Sequence, residues 1–79
     1  MTVNNIKPNQ TEVELNNGDI VFVSYSTPVA AFISGRGIVK TSKKWSATTT
    51  KHINQFIQRT NPASTVSEEP QEFFDNILG

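Results

Sequence analysis

His52 is the only histidine in the chain, and there is no cysteine. Cysteine-ligated zinc, iron–sulfur clusters and disulfides are excluded at once, as is any site needing two imidazoles. Ser46, His52 and Asp19 supply the residue types of a nucleophile, a base and an orienting acid. Ser46 lies in no glycine-flanked elbow, so nothing in the spacing presents its hydroxyl for attack. Gly35-Arg36-Gly37 lacks the third glycine and the following helix of a phosphate-binding loop. The carboxylates fall on one strand face and in the C-terminal tail, with no pairing suited to acid–base work. The residue types predict no enzyme, no cofactor and no metal.

Binding chemistry is better represented. Lys40, Lys43 and Lys44 surround Trp45, joining phosphate-seeking charge to a ring able to stack on a base. Arg36 sits between two glycines at a turn tip. Lys51, His52, Gln55 and Arg59 share one helix face and could reach phosphates or groove edges. Each has a plainer alternative: Trp45 as a lid on the core, His52 as a surface or hydrogen-bonded structural residue, the lysines as a solvated face. A second candidate is the tail, where Glu72, Phe73, Phe74, Asp75, Ile77 and Leu78 make a short amphipathic segment. Such a segment folds into a partner's groove, docks on its own domain, or clasps a second copy.

These residues need elements to hold them. Val13 and Leu15 alternate with Glu12 and Glu14 over Thr11 to Leu15, the period of a half-buried strand. Asn16-Asn17-Gly18-Asp19 then marks a hairpin turn. Ile20 to Tyr25 is apolar on both faces except at Ser24 and reads as a central strand. Ser26-Thr27-Pro28 interrupts it, because proline offers no N–H to a ladder. Val29 to Ser34 and Ile38 to Lys43 complete four strands. Ser46, Thr48 and Thr49 are candidate caps, and the helix start they mark is a natural anion site. Ile53, Phe56 and Ile57 then form one apolar helical stripe. Asn61-Pro62 ends the helix. After a Pro/Ser/Thr linker, Ser67-Glu68-Glu69-Pro70 reads as the start of a second, acidic helix, too short to stand alone in water.

The expected fold is α+β: a four-stranded antiparallel meander, one packed helix and a short acidic C-terminal helix. Residues 1–10 read as a flexible arm, 11–60 as the sheet-plus-helix domain, and 61–79 as linker and tail. Seventy-nine residues allow one small core and no second domain. Seven bases balance seven acids, but the charges are segregated. Residues 1–30 carry Lys7 against three acids, residues 31–60 carry six bases and no acid, and residues 61–79 carry four acids and no base. That asymmetry predicts an electropositive face beside an acidic tail. No apolar run approaches the roughly 20 residues of a membrane span, and Met1 leads into a polar stretch with no secretory pattern. The expectation is a soluble, cytoplasmic module.

Ser24-Tyr25-Ser26-Thr27-Pro28-Val29-Ala30, followed by Ser46-x-Thr48-Thr49-x-Lys51-His52-x-Asn54, resembles a small uncharacterised domain common in bacteriophage, prophage and plasmid proteins. The resemblance covers Val13 to Ile57 and leaves the tail outside. It implies a viral or mobile-element origin, with the host cytoplasm as its setting, and a small sheet-plus-helix fold. It brings no activity or site residue. Together these readings predict a non-enzymatic binding protein whose partner is a host or viral protein, with nucleic acid as the alternative. A homodimer held by the tail is a further expectation.

Overall fold

The computed structural model describes residues 1–60 and 65–77. Six strands form one sheet in sequence order: β1 (Thr2–Lys7), β2 (Gln10–Glu14), β3 (Ile20–Ser24), β4 (Thr27–Ile33), β5 (Gly37–Thr41) and β6 (Val66–Glu69). Helix α1 (Ala47–Thr60) separates β5 from β6, and α2 (Gln71–Ile77) follows β6. Neighbours from β1 to β5 are antiparallel, and β6 joins β5 in parallel. The fold is therefore α+β with a mixed sheet.

The expected meander is present as β2 to β5, with one strand added at each end. Residues 2–7, expected as a flexible arm, pair along β2 as an edge strand. All but Ile6 are exposed, so neither face is apolar and no alternation marks the strand. Pro8 and Asn9 make its turn, with Asn9 at φ 66°, where asparagine is one of the few tolerant residues. Ser67, Glu68 and Glu69, expected with Pro70 as the start of the last helix, instead form the parallel strand β6 together with Val66, expected in the linker. Parallel pairing needs a long crossover, which α1 supplies.

The two helices cover opposite faces. On one, Ile53 and Phe56 pack over Phe22, Ala30 and Ile38, and the Phe22 and Phe56 rings stack with centroids 5.0 Å apart. On the other, Phe74 is fully buried against Ala31 and Val39, with Phe73 and Ile77 beside it. Alternation along β4 and β5 sends Ala30 and Ile38 one way and Ala31 and Val39 the other. Opposite Pro28 the ladder slips between Phe22 and Val23, a bulge that accommodates the missing N–H.

The tail thus docks on its own domain. Leu78 and most of the expected linker lie outside the described residues.

Candidate nucleic-acid interface

Ser46 caps α1: its Oγ accepts the Thr49 N–H at 3.3 Å, and its carbonyl accepts the Thr50 N–H at 3.1 Å. The cap fixes where Trp45 leaves the sheet. Trp45 is half-buried against the α1 side of the core, the lid the sequence offered as its plainer role, yet it also lines two concavities. The larger, about 390 Å³, runs between the end of β5 and the first turns of α1. Lys40, Lys43, Lys44, Trp45, Thr50 and Asn54 are among its walls, with Glu68 on the β6 side. Lys43 Nζ lies 4.3 Å from the Trp45 ring centroid, a cation–π contact at an exposed site.

Not all of the basic segment is available. Arg36 pairs with Glu69 at 2.5 Å, Lys40 with Glu68 at 3.8 Å, and Arg59 with Glu12 at 2.6 Å. The first two pairs follow from register, since Lys40 stands opposite Glu68 and the Arg36 turn leads into β5. Exposed pairs of this kind are worth about 0–1 kcal/mol; their main effect is to cancel charge. Among the described residues, Lys43, Lys44 and Lys51 are exposed and have no carboxylate in ion-pair reach.

His52 and Gln55 depart from the expected basic face. His52 is buried, with Nδ1 2.9 Å from Ser24 Oγ in a shared hydrogen bond, and Tyr25 is tilted over its ring at 5.8 Å. Gln55 Oε1 accepts from Gln10 Nε2 at 3.1 Å. Both face the sheet because the α1 contact is wider than the Ile53–Phe56 stripe, and β2 and β3 offer polar partners there. The Ser–His pair that forms uses Ser24, not Ser46. Asp19 is engaged in a turn, accepting the Ser34 N–H at 2.9 Å.

The tail residues go elsewhere than a partner groove. Phe74 is in the core, Phe73 meets it edge-on at 5.0 Å, and the Arg36 guanidinium lies 5.8 Å from the Phe73 ring centroid. Glu72 and Asp75 remain exposed. One residue invisible to the sequence reading joins tail and site. Gln71 Oε1 accepts from Trp45 Nε1 at 3.2 Å and from Thr41 Oγ1 at 2.9 Å, while its Nε2 donates to the Pro28 carbonyl at 2.7 Å. The first residue of α2 therefore sets the orientation of Trp45. Only the parallel docking of β6 reveals this, because the two residues are 26 positions apart.

A family model described as a family of unknown function (DUF8033) matches residues 1–76. The chain belongs to this family. The matched span takes in β1, β6 and most of α2, so the tail lies within the family pattern. No curated protein and no solved structure shows significant similarity. Among the described residues, no helix is long and apolar enough to cross a membrane.

Proposed function

We propose that this chain is a non-enzymatic binding module for single-stranded nucleic acid. Its backbone contacts come from Lys43, Lys44 and Lys51, and its stacking surface from Trp45. The observation that carries this is the 390 Å³ cleft, where Lys43 and Lys44 flank a half-exposed tryptophan and, among the described residues, have no carboxylate in ion-pair reach, Glu68 being paired with Lys40. A strand entering the cleft draws Lys43 off the indole toward phosphate, so charge and ring become available together. The motif resemblance adds a setting for this proposal: an accessory protein of a phage or mobile element, acting in the host cytoplasm.

A protein partner is the second reading, and one observation favours it. The outer edge of β1 is exposed, with Val3 at 57%, and an extended peptide adds to such an edge by main-chain hydrogen bonds. The tail no longer supports that reading, because Phe74 is spent on the chain's own sheet.

Fluorescence anisotropy with a 12-nucleotide oligothymidylate tests the first reading. Binding is expected at about 50 mM salt, where charge contacts are least screened, with quenching of Trp45 emission. The Lys43→Ala/Lys44→Ala double variant should lose most of the affinity and keep its melting temperature. Absence of binding at that salt concentration overturns the reading.

A further inference from the structure

Trp45 also walls a second, smaller pocket of about 240 Å³. Five hydroxyl side chains contribute to it: Ser24 from the end of β3, Tyr25 from the turn, Thr27 from the start of β4, and Ser46 and Thr49 from the start of α1. Both segments of the sequence motif thus converge on one concavity. No charged residue lines it. Its volume falls below the roughly 300–1,000 Å³ of pockets that hold drug-sized molecules, so it suits a single ring. Hydroxyls both donate and accept, which matches a neutral, flat ligand with mixed hydrogen-bonding edges.

The walls are braced. Tyr25 is held at φ 57°, one of two non-glycine residues with positive φ among those described. A conformation of that kind is strained for a residue with a side chain and persists only where the surroundings enforce it. Here the Tyr25 N–H donates to the Asn9 carbonyl at 2.8 Å, and the ring leans on His52. His52 in turn holds Ser24. The result is a half-exposed phenol beside a hydroxyl-lined hollow. Thr27 is half-buried on the pocket wall, and a valine there keeps the shape of the side chain and removes only the hydroxyl.

We infer that this pocket receives one unpaired nucleobase of a strand whose phosphates lie along Lys43 and Lys44, with Trp45 as the wall common to both. The inference rests on the single-strand reading above and goes beyond it by assigning base recognition to a separate set of residues. The test compares a 12-nucleotide oligothymidylate with an abasic 12-mer of equal charge, using the full chain. The oligothymidylate should bind at least about tenfold more tightly, because the abasic strand loses both the base in the pocket and the base stacked on Trp45. Thr27→Val should erase several-fold of that difference and leave abasic binding and the melting temperature unchanged; Tyr25→Phe provides an independent second variant. A preference for oligothymidylate that survives both Thr27→Val and Tyr25→Phe overturns the base pocket and leaves the single-strand reading, with stacking on Trp45, standing. Equal affinity for the two oligomers overturns the pocket and the stacking on Trp45 together. Failure of both oligomers to bind overturns the two together.

Discussion

Phe56 is where the helical stripe of α1 and the period-two pattern of β3 meet. Its ring stacks on Phe22, both side chains are fully buried, and the Arg59 guanidinium lies 5.9 Å from its centroid. Phe56→Ala should cost about 3–5 kcal/mol, a large share of the stability of so small a domain. Urea unfolding checks this; an unchanged midpoint would show that α1 does not dock through Phe56. Gln10 makes the opposite prediction. Its Nε2 is bonded to Gln55, but its Oε1 is buried with no partner among the described residues, and an orphan acceptor costs about 1–3 kcal/mol. Gln10→Leu should therefore be neutral or stabilising in the same assay, since half-buried Gln55 can turn to water. A loss above about 2 kcal/mol would mean that the amide oxygen is satisfied in solution. The Phe22–Phe56 contact was legible in the sequence because burial follows periodicity. Gln10 was not, because polar residues are buried only where a specific partner waits across the fold.

The element that most alters the sequence reading is the tail. Four acids and four large apolar side chains in a short segment demanded a docking surface, and the surface is the sheet face that α1 leaves open. Deleting residues 61–79 would strip β6 from β5, uncover Ala31 and Val39, and release Trp45 from Gln71. It also takes the formal net charge from 0 to +4, because all four acids of that span leave without a base. The truncated chain should lose its cooperative melting transition. Phe74→Ala in the full chain should cost about 3–5 kcal/mol. Circular dichroism melts distinguish this from a tail that merely shields charge, which would depart without effect on the transition. That the tail packs was legible from its composition. That it begins with a strand was not, because Val66 to Glu69 is half acidic and pairs with β5, far away in the chain, where Lys40 and Arg36 meet its two acids.

Over the whole molecule, zero net charge predicts weak long-range steering of a polyanion, so binding must depend on local contacts. Among the described residues, three bases of the central segment are tied to carboxylates, and three, Lys43, Lys44 and Lys51, are not. If each free lysine displaces one counterion from a single strand, the logarithm of affinity should fall against the logarithm of salt with a slope of about −2. Lys43→Ala/Lys44→Ala should flatten the slope to about −0.7. A wild-type slope near −4 would show that the Arg36, Lys40 and Arg59 pairs open on binding.

The sequence by itself determined the meander β2 to β5, the capped helix α1 and the need of the tail for a docking surface. Those features rest on local period, turn chemistry and capping, which operate over a few residues. Tertiary structure alone decided the two outer strands, the burial of His52 and the link from Gln71 to Trp45. The outer strands lack an apolar face, and His52 stands between Lys51 and the core residue Ile53 with nothing local to assign its side. Segregated charge announced an electropositive face, but only the register of β6 against β5 showed which cations it neutralises. The parallel crossover brings together residues far apart in the chain, and no local pattern carries that information.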